Sequence, residues 1–175
     1  DVLCRSWLTE HGFKVTQLGG DVTVIPTANP DQLALFQKGE IDAAWTVEPW
    51  VSRLELEADG IIFLEDTNSI TTILVSSVKF LNENSELAKK VQIAHKELTE
   101  WIIQNPEEAK KLAASEILEE TKRPISPKLL GKCWPRIKLT HEFSINNLKE
   151  FVESAQKAGF IKDVSTDISM IDKTK

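Results

Sequence analysis

The first part of the sequence predicts an α/β fold, with a mostly parallel sheet and helices on its faces. Short, apolar runs, such as Val22–Ile25 and Ile41–Trp45, alternate with segments of helical periodicity. The helical segments begin at Pro-containing polar turns, such as Asn29-Pro30, and several end at glycine. Short apolar runs between helices are typical of strands that are buried in a parallel sheet.

Each element in the first 66 residues has its own local signal. Asn29 is a typical helix N-cap, Pro30 suits the first helical position, and Gln32 is placed to reach back to the cap. Glu48 and Pro49 suit a first turn, where an acid favours the positive end of the helix dipole. The predicted elements are, in order, helix 1–12, strand 22–25, helix 29–38, strand 41–45, helix 48–58 and strand 61–64.

The pattern changes to one strand followed by helices after residue 66. The run at 70–75 is β-branched and apolar, which predicts a strand. Beyond it, Leu87, Val91 and Leu98 recur at helical spacing, which predicts a long amphipathic helix. Further helices are predicted to begin at Asn105-Pro106, Ser126-Pro127 and Ser144.

Composition excludes several classes of protein and partner. The 175 residues carry a net charge of −6 and no basic run, which disfavours nucleic acid or an anionic membrane surface as a partner. Cys4 and Cys133 lie far apart and lack the spacing of metal ligands, so no disulfide framework is predicted. No stretch has the length of a membrane span, and no signal peptide is visible.

No catalytic residue, metal site or cofactor is predicted. His11, His95 and His141 are scattered along the chain, and no nucleophile accompanies them. A Gly-rich phosphate loop, a metal-ligand cluster and a Gly-x-Ser-x-Gly elbow are all missing from the sequence. These observations favour a protein that binds without performing chemistry.

A binding site is predicted where apolar runs give way to helix starts. In α/β proteins, ligands bind at the carboxyl ends of strands and at helix N-termini, where backbone N–H groups attract anions. For Trp50 a place in the core is an equal alternative, and for Arg5 a solvated helix face is the favoured one. The predicted ligand-binding residues are Trp45, Thr46, Glu48, Trp50, Thr27, Asn29 and Arg5.

The run NPDQLALFQKGEIDAAWTVEPWVSRL resembles the substrate-binding proteins of ABC transporters of the nitrate/sulfonate/taurine type. The family pattern, a helix ending Gly-x-x-Asp-Ala followed by Trp and then Glu-Pro-Trp, is met by Gly39, Asp42, Ala43, Trp45 and 48–50. The start, DVLCRSWLTEHGFKV, is similar to the helix that follows a GNTQ-like turn in that family. The segment SSVKFLNENSELAKKVQIAHKELTEWIIQNPEEAKKL looks like its return segment, so the resemblance covers at least residues 1–120.

The resemblance implies a type II periplasmic-binding fold, in which two lobes joined by a hinge enclose the ligand. By that comparison residues 1–66 form most of the second lobe, 67–70 the hinge, and 71–175 the returning strand and helices of the first lobe. The chain would lack the N-terminal third of the family pattern, including the GNTQ-like turn, so that its first lobe would be incomplete.

The function implied is capture of a small anionic or zwitterionic solute between the lobes, and its delivery to the permease of an ABC importer. Thr46 and Asn29 would donate hydrogen bonds, Trp45 would form an apolar wall, and Glu48 would orient the loop or contact an amine. The implied location is periplasmic or otherwise extracytoplasmic, and the protein would meet the membrane through the permease or a lipid anchor.

Two alternatives stay open. One is an enzyme on the same fold, similar to a thiamin pyrimidine-precursor synthase, which would need a His or Cys cluster facing the cleft. Residues 1–66 show no such cluster beyond Cys4 and His11. The other is a remnant or interaction module that binds no ligand.

Overall fold

The computed structural model describes residues 1–15, 20–67, 69–142 and 144–162, and these residues form a helical protein. Of them 58% are helical and 1% are in strand pairing. The helices are α1 (Val2–Glu10), α2 (Asn29–Gln37), α3 (Trp50–Glu57), α4 (Val78–Glu83), α5 (Ser85–Gln104), α6 (Pro106–Thr121), α7 (Pro127–Cys133) and α8 (Ile145–Lys157), with a 3-10 helix at Trp134–Arg136.

The predicted α/β fold is wrong, and with it the type II periplasmic-binding architecture of two lobes and a hinge. The described residues contain no sheet. Strand pairing within them is confined to an isolated parallel bridge between Val15 and Val22. None of the predicted strands, at 22–25, 41–45, 61–64 and 70–75, forms a strand.

The exposure of the predicted strands explains why the prediction failed. Apolar β-branched runs have strand propensity, but a strand is stable only when neighbouring strands and a packed face support it. Ile61 is 86% exposed and Phe63 78%, while Leu74 and Val75 are 63% and 74% exposed. The side chains that were expected inside a sheet are therefore not buried, and the local sequence could not reveal this.

The predicted helices are confirmed, and two of them begin at a serine whose hydroxyl caps the helix. The Ser126 hydroxyl accepts a hydrogen bond from the Leu129 N–H at 3.1 Å, which caps α7. The Ser144 hydroxyl caps α8 in the same way. The short helix α4 was not predicted, although Ser77 caps it by accepting from the Phe80 N–H at 3.1 Å.

The chain forms two compact units. The first contains the described residues of 1–45, 69–70 and 144–162, and in it α1 packs against α8. The second contains 46–67 and 71–142, and in it α3 packs against α7, while α5 packs against α4 and α6. The residue bounds expected from the resemblance, at 1–66, 67–70 and 71–175, stay a prediction.

One buried region of the second unit lies where α3 meets α7. Ser52 of α3 is completely buried, and Cys133 at the end of α7 is 2% exposed.

None of the helices in the described ranges combines the length and the apolar composition that a membrane span needs.

The α1–α8 packing predicts the effect of enlarging Ala155, which lies on α8 and is 3% exposed. Ala155→Leu inserts a branched side chain into a filled space and is expected to lower the free energy of unfolding by about 1–3 kcal/mol in urea denaturation. Glu153→Leu, at an exposed position of the same helix, is the control and is expected to stay within about 0.5 kcal/mol of the wild type. Equal stability of both variants would mean that Ala155 is not in a packed interface.

Candidate functional site

The predicted ligand-binding residues fall into both units. Arg5, Thr27, Asn29 and Trp45 belong to the first unit, while Thr46, Glu48 and Trp50 belong to the second. The hydrogen bonds within each unit show which of these polar side chains are already bonded within the chain.

The guanidinium of Arg5 bonds within the first unit. Its Nε lies 2.7 Å from Asp1 Oδ1, at the beginning of α1. Its Nη2 donates to the Val24 carbonyl oxygen at 3.2 Å, which ties α1 to the segment before Pro26. Arg5 therefore has a structural role in this state, beyond the solvated helix face that was the favoured expectation.

The polar groups at the start of α2 largely bond to one another. The Thr27 hydroxyl donates to the Ile25 carbonyl oxygen at 3.0 Å. Gln32 Nε2 donates to the Thr27 carbonyl at 3.4 Å and to Asn29 Oδ1 at 3.3 Å. The helix N-cap is Ala28 rather than Asn29, one residue earlier than predicted. Gln32 is 8% exposed, and its Oε1 has no hydrogen-bond partner among the described residues.

Trp45 belongs to an aromatic cluster that the sequence analysis did not identify. Its ring centroid lies 6.4 Å from that of Trp7, with the ring planes inclined by 51°. Trp7 in turn stacks on His11 at 4.0 Å, and His11 Nδ1 lies 2.8 Å from the Trp7 carbonyl oxygen. The spacing of Trp7 and His11, four residues apart on a helical pattern, was the available signal.

In the second unit, Glu48 lies just before α3 and caps its N-terminus. Glu48 Oε2 accepts from the Ser52 N–H at 3.1 Å, and Oε1 accepts from the Ser52 hydroxyl at 3.0 Å. Early N–H groups of a helix have no partner within the helix, and the positive end of its dipole favours a carboxylate there. Both carboxylate oxygens of Glu48 thus accept hydrogen bonds from the chain itself, as expected of a residue that orients the loop.

An ion-pair network around Arg136 completes this arrangement. Arg136 Nη1 lies 3.1 Å from Glu48 Oε1, 2.7 Å from Glu55 Oε2 and 3.4 Å from the Ser52 hydroxyl. Lys132 Nζ lies 3.3 Å from Glu55 Oε1. We call Glu48, Ser52, Glu55, Lys132 and Arg136 the Arg136 cluster. Its two carboxylates and two cations balance, and it joins α3 to α7 and to the 3-10 helix.

The pKa of the Glu55 carboxyl reflects this cluster. Burial alone would raise its pKa, but hydrogen bonds and charge from Arg136 and Lys132 outweigh burial and lower it. The hydrogen bond with Glu55 raises the pKa of Arg136. Burial raises the pKa of the Cys133 thiol, and the negative charge of Glu48 adds to that rise.

A raised pKa disfavours the thiolate, which is the reactive form of a cysteine. Burial also raises the pKa of Cys4, although the N-terminal amine and Arg5 act in the opposite direction. Both thiols therefore stay protonated at neutral pH. The described residues also include no group of three or more His, Cys, Asp or Glu side chains that could hold a metal ion.

Thr46 carries the one side-chain oxygen of the second unit's described residues that is buried without a hydrogen-bond partner. A buried hydroxyl without a partner costs about 1–3 kcal/mol. The residue stands two positions before Glu48, just ahead of the turn that Glu48 ties to the beginning of α3. On the other side of that turn, the Arg53 guanidinium lies 5.1 Å from the centroid of the Trp50 ring and is paired with Glu57 at 2.8 Å.

The chain belongs to the NMT1-like family, whose family model matches residues 1–118. That family is associated with the solute-binding proteins of ABC transporters, which confirms the resemblance at the level of the family. Lys132 and Arg136 lie beyond the matched residues. No match to the chain is found among curated proteins or among solved structures.

The lowered pKa of Glu55 predicts how the cluster depends on pH. A carboxyl whose pKa is lowered by folding stabilises the fold above its unfolded value, about 4.5, and this stability is lost as the pH falls through the folded pKa. Wild type is therefore expected to lose stability on acidification below that pH, measured by urea denaturation. Glu55→Gln is expected to be less stable than wild type at neutral pH, and to lose less stability than wild type as the pH falls below about 4.5.

The control is Glu57→Gln on the same helix. Glu57 also has a lowered pKa, because Arg53 donates a hydrogen bond to it, but its side chain is 41% exposed. Pairs in solvent contribute little to stability, so this variant is expected to follow the wild-type pH profile closely. A Glu55→Gln profile parallel to wild type would show that the Glu55 pairs contribute nothing.

Proposed function

We propose that the chain is the solute-binding component of an ABC importer. It captures a small anionic or zwitterionic solute, such as nitrate, a sulfonate or taurine, outside the cytoplasm and delivers it to the permease subunits. Its membership of the NMT1-like family supports this proposal. The cleft between two lobes belongs to the fold prediction that the helical structure overturns, and we centre the solute contact on Thr46 instead.

The observation that carries the proposal is the buried Thr46 hydroxyl, which has no hydrogen-bond partner among the described residues. A sulfonate or nitrate oxygen accepts a hydrogen bond from such a hydroxyl, and an ammonium group donates one to it. A solute would thus supply the missing partner and relieve the cost of leaving a buried polar group unpaired.

The surrounding turn favours Thr46 over Glu48 as the direct contact. Both Glu48 carboxylate oxygens already accept hydrogen bonds from Ser52, and one of them also pairs with Arg136. A turn held in this way loses little conformational freedom on binding, which favours affinity. The assignments of Trp45, Trp50, Thr27, Asn29 and Arg5 as ligand-binding residues stay predictions. Of these, Thr27, Asn29 and Arg5 have polar groups bonded within the first unit.

The test uses Thr46→Val, which removes the hydroxyl and keeps the shape of the side chain. Because the hydroxyl is unpaired, stability in urea is expected to stay equal or to rise by up to about 1–3 kcal/mol. Affinity is measured by isothermal titration calorimetry with nitrate, methanesulfonate and taurine. The affinity of Thr46→Val for any solute that binds the wild type is expected to be lower by at least about tenfold, because one hydrogen bond to a charged group is lost.

Thr99→Val is the matched control. Thr99 is 5% exposed, and its hydroxyl donates to the His95 carbonyl oxygen at 2.8 Å. This variant is expected to keep wild-type affinity and to lose rather than gain stability. The proposal would be contradicted if none of the three solutes bound the wild type, or if Thr46→Val bound the solute as tightly as wild type does.

A further inference from the structure

We propose that Arg136 is a positioning residue of the solute site. It does not touch the solute, but it fixes the turn at Glu48 and thereby sets the affinity of the protein for a solute bound at Thr46. This inference rests on the proposed function. It adds a residue that lies beyond the part matched by the family model, which ends at residue 118.

The geometry gives Arg136 a central place in the cluster. A single nitrogen, Nη1, lies within 3.4 Å of three acceptors, on Glu48, Glu55 and Ser52. The Glu48 side chain is 8% exposed, so its charge is largely removed from water. A buried carboxylate needs a paired cation, and the described residues provide one within ion-pair distance of Glu48, namely Arg136.

The same carboxylate determines the path of the backbone after Thr46. Glu48 holds the Ser52 N–H and hydroxyl, so the turn is tied to the beginning of α3. If Arg136 is removed, the Glu48 carboxylate is left buried without a counter-charge and turns toward water. The turn then loosens, and a contact residue two positions away no longer holds its geometry.

Lys132 separates positioning from general stability. Its ammonium pairs with Glu55 at 3.3 Å, on the same patch of α3, and it makes no ion pair with Glu48. Lys132→Gln therefore removes a cation of the cluster and leaves the turn in place. Arg136→Lys keeps the charge, but the lysine side chain is one bond shorter than the arginine path to Nη1, so its ammonium group reaches the three acceptors less well.

The experiment compares Arg136→Gln, Arg136→Lys and Lys132→Gln in the whole chain. Affinity for nitrate, methanesulfonate and taurine is measured by calorimetry, and exchange of the Ser52 amide hydrogen by NMR. Arg136→Gln is expected to weaken binding about tenfold or more and to accelerate Ser52 exchange relative to the amides of α5. The affinity of Arg136→Lys is expected to lie between those of Arg136→Gln and wild type. Lys132→Gln is expected to bind the solute as tightly as wild type does.

Failure of this inference differs from failure of the proposed function. If wild type binds a probe and Arg136→Gln binds it equally well, Arg136 does not position the site, and the proposed function stands. Equal losses in Arg136→Gln and Lys132→Gln would overturn the inference too, because they indicate general destabilisation. If no probe binds the wild type, both fail, and Ser52 exchange still shows whether Arg136 holds the turn.

Discussion

The pairing of Glu48 with Arg136 is the interaction on which the site in the second unit depends. A carboxylate that is 8% exposed is stable only if a cation and hydrogen-bond donors replace the water it has lost. Arg136, at 3.1 Å, and Ser52 supply these groups. Because the two charges are 88 residues apart in the chain, their pairing joins the start of α3 to the segment after α7. The position of the turn after Thr46 is therefore a consequence of a long-range contact.

This arrangement divides the work between two neighbouring residues. The charged side chain of Glu48 is bonded to groups of the protein itself. Thr46 is uncharged, and its buried hydroxyl has no hydrogen-bond partner among the described residues. A negatively charged chain can thus offer a hydrogen bond to an anion without a basic patch, since the cluster is electrically balanced. Membership of the NMT1-like family and the unpartnered hydroxyl both support the proposed solute binding.

What could be predicted from the sequence follows the range of the interactions involved. The starts of α7 and α8 were predicted because Ser126 and Ser144 cap helices only a few residues away. The Trp45–Trp50 region was predicted to be a binding site, and this stays a prediction. Glu48 was correctly placed near a helix start, because α3 begins at Trp50. The sheet was predicted wrongly, since propensity at 61–64 and 70–75 says nothing about whether a partner strand exists. Arg136 was missed because nothing local to residues 134–136 indicates a carboxylate in α3.

A double-mutant cycle between Glu48 and Arg136 tests whether their pairing holds the turn. Glu48→Gln, Arg136→Gln and the double variant are compared with wild type in urea denaturation at neutral pH. We expect a coupling free energy of about 1–3 kcal/mol, since Arg136→Gln leaves the Glu48 carboxylate buried without its counter-charge, while Glu48→Gln leaves Arg136 paired with Glu55 alone. Additive effects, with a coupling below about 0.5 kcal/mol, would contradict the view that this pair holds the turn.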